Sequence, residues 1–158
     1  MQSIQYLGYI IDTEGVHVDP IKIQIIWDWP SPKTFTELRS FLGLANFYRR
    51  FVFNFSHISW PLNQSLRGGA QEKFQWTEAK QKAFEELKKR LCLAPVLVLP
   101  DLQQSFEIET DASDYALGAV LMQHGHPIAY HSEFFFDIVH RYPTHDKELY
   151  AIVQACKQ

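Results

Sequence analysis

The spacing of apolar residues changes once along this chain, and that change limits the folds that it can adopt. Over residues 34–94 apolar side chains recur every three or four positions, which is typical of helices buried on one side. From Phe106 onward apolar residues alternate with carboxylates, at Glu107, Glu109 and Asp111, as in a strand with one polar face. The two patterns predict an α+β chain in which helices come before an antiparallel sheet.

The first 18 residues are predicted to form a short β-hairpin. Residues 6–11 are mostly apolar, residues 12–15 supply turn-forming side chains, and residues 16–18 resume an apolar strand. Asp19 followed by Pro20 then predicts a helix start, because aspartate caps free N–H groups and proline fits the first helical position. The expected buried side of this helix consists of Ile21, Ile25 and Trp29.

Three further helices are predicted before residue 94. Thr34 and Glu37 have capping-box spacing, and the apolar stripe after them runs to about residue 53. A weaker helix is expected over residues 56–66, followed by a flexible joint at 67–70. Thr77 can cap the fourth helix, whose expected buried stripe consists of Ala83, Phe84, Leu87 and Leu91.

Two prolines, Pro95 and Pro100, bracket an apolar run that predicts an extended connector between two units. Residues 106–132 are then predicted as three antiparallel strands. A last helix is expected to begin near Thr144. Its predicted inner stripe consists of Leu149, Ile152, Val153 and Cys156.

Composition excludes several classes of protein. Hydrophobic residues make up 46% and aromatic residues 15%, which is too apolar for a disordered tail. No apolar run approaches the roughly 18 residues of a membrane span, so no membrane partner is expected. Cys92 and Cys156 lie far apart, which argues against a disulfide framework and a zinc site and favours an intracellular protein, cytoplasmic or nuclear.

Two carboxylates in the second half are candidates for holding a cation. From residue 95 onward there are 3 Lys and Arg against 9 Asp and Glu, whereas residues 1–94 have 12 against 9. Asp111 lies on the polar strand face and Glu148 near the start of the last helix, where the two could share a magnesium ion. Taken alone, both residues fit solvated surface carboxylates as well.

Five sequence blocks follow one another in order along the chain. They are FLGLANFYRRF at residues 41–51, FQWTEAKQKAFEELKK at 74–89, APVLVLP at 94–100, ETDASDYALGAVL at 109–121 and YPTHDKELYAIV at 142–153. In content and order they resemble the pol polyproteins of gypsy-like long-terminal-repeat retrotransposons. The resemblance covers nearly the whole chain, from YLGYI at residue 6 onward.

The resemblance implies a division into three parts and a catalytic role for two residues. Residues 1–18 would end a reverse transcriptase palm, 19–94 would form the helical thumb and connection, and 95–158 a partial RNase H-like domain. Asp111 and Glu148 match two metal ligands of that family, whose two magnesium ions promote hydrolysis of RNA in an RNA-DNA hybrid.

In the same family a further aspartate follows on a later strand, and the polymerase aspartates precede the stretch matched here. Both catalytic centres are therefore expected to be incomplete, and the fragment is expected to be inactive alone. Two alternatives remain open. One is a magnesium-dependent RNA-DNA hybrid endonuclease completed by a longer product or a partner chain; the other is a nucleic-acid-binding module.

One helix face is the predicted contact with nucleic acid. Opposite the apolar stripe of the 34–53 helix lie four residues, Arg39, Gly43, Asn46 and Arg50, with Arg49 beside them. Small residues between cations let a phosphate backbone come close, and by resemblance this helix follows a template-primer duplex. Binding of such a duplex or of an RNA-DNA hybrid is expected to be weak and salt-sensitive, and a merely solvated face is the alternative.

The remaining candidates favour structural roles. His124 and His126 flank a glycine in a turn and are expected to face water rather than to bind zinc. Phe134, Phe135 and Phe136 predict a buried turn or an exposed apolar patch, since the family usually has polar residues there. The four tryptophans are expected to pack, and Asp114 and Asp146 are not assigned as ligands.

Overall fold

The computed structural model describes residues 3–67 and 73–158 and confirms the α+β class. Residues 68–70 of the predicted joint lie outside the described residues. The described part has five α-helices and two antiparallel sheets. No helix within it combines the length and the apolar character needed to cross a bilayer.

The opening hairpin is instead a three-stranded meander, β1 (Ile4–Tyr6), β2 (Tyr9–Ile11) and β3 (Val16–Val18). The apolar run of residues 6–11 is divided by a tight turn at Leu7 and Gly8, which have φ of 48° and 84°. Positive φ at both central residues suits a two-residue hairpin turn, because its twist matches that of the flanking strands.

The helices begin near the predicted caps: α1 (Pro20–Trp27), α2 (Phe35–Phe47), α3 (Phe55–Gln64), α4 (Glu78–Cys92) and α5 (Thr144–Ala155). The side chains of Asp19, Thr34 and Thr77 accept hydrogen bonds from N–H groups in the first turns of α1, α2 and α4. The predicted helix to residue 53 is too long. It ends at Phe47, and a 3-10 turn at Arg49–Phe51 follows.

The larger core lies among α2, α3 and α4. The predicted α4 stripe is confirmed, since Ala83, Phe84, Leu87 and Leu91 are all buried. The predicted α1 stripe is wrong for Ile21 and Ile25, which are 66% and 42% exposed, and Ile26 is buried instead. Its third member, Trp29, does pack against the core, with its ring centroid 6.1 Å from that of Phe41. Five of the seven residues at 21–27 are apolar, so the sequence defines no single stripe, and packing against α4 selects the Ile26 side.

The second sheet has the predicted meander, β4 (Glu107–Ala112), β5 (Ala116–Gln123) and β6 (His126–Phe134), in that order. One face of this sheet is covered by α5. Leu117, Phe135, Val139 and Ala151 form a second, smaller core there.

The expected inner stripe of α5 is wrong. Leu149, Ile152 and Val153 are 61%, 47% and 45% exposed, and Cys156 is exposed as well. The buried side is made by Lys147 and Ala151. This side faces the sheet because Ala151 packs with Leu117 and the Lys147 ammonium lies 3.3 Å from Asp114 Oδ1.

The extended connector joins the two sheets. Leu97 exchanges backbone hydrogen bonds of 2.8 and 3.0 Å with Val16, and the Val98 N–H donates to the Pro127 carbonyl oxygen at 2.9 Å. The Leu97 side chain is buried in the larger core. The Pro-bracketed run is thus a packed part of the fold.

Candidate functional site

Asp111 belongs to one cross-strand row of the second sheet. It lies opposite Gly118 on β5, and Gly118 lies opposite Ser132 on β6. Residues directly opposite each other in antiparallel strands share a face, so these three form a row on one face. Helix α5 covers the other face, where Ala112 and Leu117 pack with Ala151.

The segment 49–56, hereafter the docking segment, covers this row. Asn54 Nδ2 donates to Asp111 Oδ2 at 2.7 Å. The Ser56 N–H donates to Ser132 Oγ at 3.0 Å, and the two hydroxyl oxygens lie 3.2 Å apart. The Arg49 guanidinium donates to the Ser132 carbonyl oxygen. The row is therefore tied to the helical half by polar contacts at both ends.

Gly118 makes the close approach of the docking segment possible. A Cβ at position 118 would overlap the side-chain amide of Asn54. Asn54 itself has φ 55° and ψ 33°, a left-handed conformation that asparagine tolerates better than most residues. It precedes α3 without a side-chain capping bond, so its amide reaches Asp111 instead of the helix.

Sequence reasoning missed Asn54. Asparagine just before a predicted helix is a common capping residue, and this pattern could have drawn attention to position 54. Its partner lies 57 residues away in sequence, so no local pattern indicates the contact with Asp111.

Glu148 lies on an exposed side of α5. Its neighbour Lys147 is buried, and the Lys147 ammonium reaches Asp114 Oδ1 across 3.3 Å. Asp146 contacts the adjacent His145 at 3.4 Å. Asp111 projects from the face turned away from α5, so the structure does not bring Asp111 and Glu148 together on one face.

The described residues do not assemble the magnesium site that the resemblance implies. Asp111 is exposed, and its Oδ2 atom accepts a hydrogen bond from Asn54. Within residues 3–67 and 73–158 no group of three or more His, Cys, Asp or Glu side chains is arranged to hold a metal ion. The assignment of Asp111 and Glu148 as catalytic metal ligands therefore stays a prediction.

The predicted nucleic-acid face divides into exposed and packed residues. Arg39, Gly43 and Asn46 are exposed on α2, and Arg50 is exposed in the 3-10 turn that follows. Arg49 is half-buried and lies over the Phe55 ring, 5.7 Å from its centroid. Burial lowers the pKa of the Arg49 guanidinium from its usual range. Arg49 is thus used inside the fold.

Beside this face lies a groove of about 580 Å³ between α2, α3 and β6. Gly43, Asn46 and Arg49 line one side of it, and Glu133 and Phe136 line the other. Asn46 Oδ1 accepts a hydrogen bond of 3.3 Å from Arg49, which links the exposed face of α2 to the docking segment.

The remaining candidates have structural surroundings. His124 and His126 are exposed in the β5–β6 turn, as expected. Of the three phenylalanines, Phe135 is buried in the second core and Phe136 is 70% exposed. Trp60 stacks on Tyr115 with centroids 4.8 Å apart, a contact between α3 and the turn that joins β4 to β5.

One further titratable group was not predicted. The Nε2 atom of His131 is buried and has no hydrogen-bond partner among the described residues. Burial lowers the pKa of His131, an effect that nearby Arg49 reinforces and Glu133 opposes.

Comparison with known proteins decides the family. The model of the RNase H-like domain found in reverse transcriptase matches residues 76–158, more than half of the chain. The chain belongs to this RNase H-like family. This match confirms the RNase H-like part of the expected resemblance.

Two relatives from Drosophila melanogaster extend the likeness over the helical half. The chain is 40% identical to the retrovirus-related Pol polyprotein from transposon 297 and 36% identical to that from transposon gypsy. The alignments cover 99% and 98% of this RNase H-like chain but 15% and 16% of the relatives. The chain thus spans about a sixth of their length.

Solved structures show the same architecture. Foamy viral protease-reverse transcriptases in complex with double-stranded DNA and with an RNA/DNA hybrid each match 98% of this RNase H-like chain. Both have a TM-score of 0.84 and 29% sequence identity, and the match covers 28% and 21% of those chains. The helices and the second sheet are therefore arranged here much as in those enzymes.

Proposed function

We propose that this chain is a segment of a retrotransposon reverse transcriptase/RNase H polyprotein that contacts a nucleic-acid duplex and does not cleave it alone. In this proposal residues 1–18 end the palm, 19–94 form the thumb and connection, and 95–158 begin the RNase H-like domain. The main support is the Asn54–Asp111 hydrogen bond, because it places the acidic strand against the helical half.

The lack of cleavage is proposed from the positions of the two candidate ligands. Asp111 projects toward Asn54, whereas Glu148 is on α5, which covers the other face of the sheet. Two carboxylates on different faces do not form the shared site that two-metal hydrolysis requires.

A cleavage assay tests this part. The chain is incubated with a labelled RNA-DNA hybrid in magnesium and, separately, in manganese, beside Asp111→Asn. No cleavage by either protein is the expected result. Cleavage by the unaltered chain that disappears in Asp111→Asn would contradict it and would favour the hybrid endonuclease. Cleavage that survives the substitution would come from a contaminating nuclease, and the assay would be repeated after further purification.

Duplex contact is proposed at the exposed face of α2. Arg39 and Arg50 are exposed there and flank Gly43, at which no atom lies within 4 Å of an added Cβ. Structural neighbours that match nearly the whole chain are complexes with double-stranded DNA and with an RNA/DNA hybrid. A phosphate backbone is therefore the ligand that best fits this face.

Anisotropy titrations with a labelled duplex and a labelled hybrid test the contact across about 50–200 mM salt, the range in which phosphate contacts weaken steeply. The variant is Arg39→Ala/Arg50→Ala. Its control, Lys82→Ala/Lys89→Ala, removes the same charge from exposed positions on α4. We expect the arginine variant alone to lose affinity and to reduce the salt slope by about one per lost phosphate contact. Equal losses in both variants would indicate only a general charge effect.

A further inference from the structure

We infer that the groove between α2, α3 and β6 binds an unpaired nucleobase, which stacks on the ring of Phe136 while the phosphates of its strand lie on the exposed face of α2. The inference deepens the proposed function and rests on the duplex contact proposed there. It gives a role to the run of three phenylalanines at residues 134–136, which that contact does not use.

Phe136 is the one ring of this run that the fold leaves uncovered. Phe134 packs on Trp60, with ring centroids 5.4 Å apart, and Phe135 is buried in the second core. Phe136 is 70% exposed and takes part in no aromatic pair within residues 3–67 and 73–158. A single exposed phenylalanine needs no explanation by itself, so the inference depends on what lies beside it.

Phe136 forms part of the wall of the groove, whose volume of about 580 Å³ lies within the range of sites for small ligands. Further apolar wall is supplied by Leu42, Phe55 and Phe134. A flat, largely apolar group therefore fits the groove, with one of its faces against the exposed ring.

Two side-chain amides in the groove wall retain hydrogen-bonding groups. Asn46 uses its Oδ1 to accept from Arg49, and Asn63 uses its Nδ2 to donate to the Ser59 carbonyl oxygen. Asn46 therefore keeps its N–H donors, and Asn63 keeps its carbonyl acceptor. An aromatic wall with amide donors and acceptors is the chemistry that recognises a nucleobase, which has two flat faces and a polar edge.

The charges around the groove separate the base of a nucleotide from its phosphate. Glu133 lines the groove, and its carboxylate disfavours a phosphate there. Arg39 and Arg50 are exposed outside it, and Gly43 belongs both to the α2 face and to the groove wall. A strand whose phosphates lie on the arginines can therefore turn an uncharged base into the groove.

The base that binds has to be unpaired. Within a duplex both faces of a base are covered by its stacked neighbours, and its pairing edge is used by the opposite strand. Neither the Phe136 ring nor the two amides could then reach it. The first base beyond the end of a duplex is free of both restrictions, and it stays next to the phosphates that α2 would contact.

The experiment compares two probes that have the same duplex and the same number of phosphates. One carries a short single-stranded overhang with bases, and the other an abasic overhang of equal length, with the overhang on either strand in separate probes. Affinities are measured by anisotropy. For the unaltered chain we expect the bases to tighten binding by at least about fivefold, the lower end of the gain from one stacked base. A 2-aminopurine at the first unpaired position should change its emission on binding.

Three variants connect the gain to the ring. Phe136→Ala should reduce the gain to less than about twofold and abolish the emission change, because the stacking surface is lost. Phe136→Trp keeps an aromatic face and should retain both. The control is Phe106→Ala, which removes a ring that is 41% exposed and lies outside the groove, and it should leave both unchanged. Circular dichroism checks that each variant is folded.

Two results would overturn the inference. One is equal affinity of the unaltered chain for the base-bearing and abasic probes, and the other is a gain that survives in Phe136→Ala. Either result leaves the proposed function standing, provided that a blunt duplex binds through Arg39 and Arg50. If the blunt duplex does not bind, the proposed duplex contact fails, and the base site is decided with the 2-aminopurine single strand alone. An emission change that requires Phe136 then supports the base site, and no change overturns it.

Discussion

Gly118 and Asn54 are in direct contact across the boundary between the helical half and the second sheet, and the missing Cβ of Gly118 makes the contact possible. Asn54, the residue before α3, therefore lies on β5, next to the acidic strand β4, and its side-chain amide reaches Asp111. The Gly118–Asn54 contact is one of several that join the two halves, beside the Ser56–Ser132 hydrogen bond and the Trp60–Tyr115 stacking.

Gly118→Ala should therefore destabilise the chain. The added methyl group overlaps the Asn54 amide and forces the docking segment away from the sheet. We expect a loss of about 1–3 kcal/mol in the free energy of unfolding, measured by urea denaturation. Gly43→Ala is the control, because it adds the same group at an exposed helical position and should stabilise α2 by about 0.5–1 kcal/mol. Equal effects of the two changes would contradict the contact.

Arg49 should matter more for folding than for binding nucleic acid. Its guanidinium bonds to the Ser132 carbonyl oxygen and lies over Phe55. Arg49→Ala leaves a buried acceptor without its partner, so we expect a loss of about 1–3 kcal/mol in unfolding free energy. The exposed Arg39 should give a change within about 0.5 kcal/mol when replaced by alanine. A stable Arg49→Ala variant with weakened duplex binding would reverse this assignment.

The connector should behave as part of the core. Leu97 is buried and bridged to Val16, whereas Leu99, two residues further on, is 59% exposed. Leu97→Ala should cost about 2–5 kcal/mol through lost burial and a residual cavity. Leu99→Ala should change the unfolding free energy by no more than about 0.5 kcal/mol. If both substitutions changed the free energy of unfolding by similarly small amounts, the connector would instead be a flexible linker.

His131 should make the chain less stable in mild acid. Because burial lowers the pKa of His131 in the folded state, the unfolded chain binds more protons below the usual histidine pKa of about 6.5. The contribution of His131 to the free energy of unfolding is therefore complete above about pH 6.5 and decreases as the pH falls toward the pKa of the folded state. In thermal melts between about pH 5 and 7.5, stability should fall less steeply with decreasing pH in His131→Gln than in the unaltered chain. The difference in slope should correspond to uptake of up to about one proton on unfolding. An unchanged slope would show that other groups are responsible.

The two alternative functions differ from the proposed one in the experiments above. A hybrid endonuclease requires cleavage that depends on Asp111. A binding module requires clear duplex affinity that depends on Arg39 and Arg50. A chain with neither property would be a structural remnant of its polyprotein.

Several elements were predictable because their causes are local. At the caps, the side chains of Asp19, Thr34 and Thr77 accept hydrogen bonds from N–H groups two or three residues further along the chain. The α4 stripe is confirmed because polar residues surround it and leave one apolar side. The α1 stripe was wrong in part and the α5 stripe wholly, because apolar residues on these helices are not confined to one side, and the packing partners decide which side is buried.

The sequence by itself determined the change from helices to an antiparallel sheet, the helix starts, and the blocks that identify the RNase H-like family. These follow from side-chain periodicity and from capping within a few residues. Only the tertiary structure decided that Asp111 projects toward Asn54 and away from α5, and that Leu97 pairs with Val16. Such contacts join residues 57 or more positions apart, and their geometry depends on strand register and on how the helices pack, which no local pattern specifies.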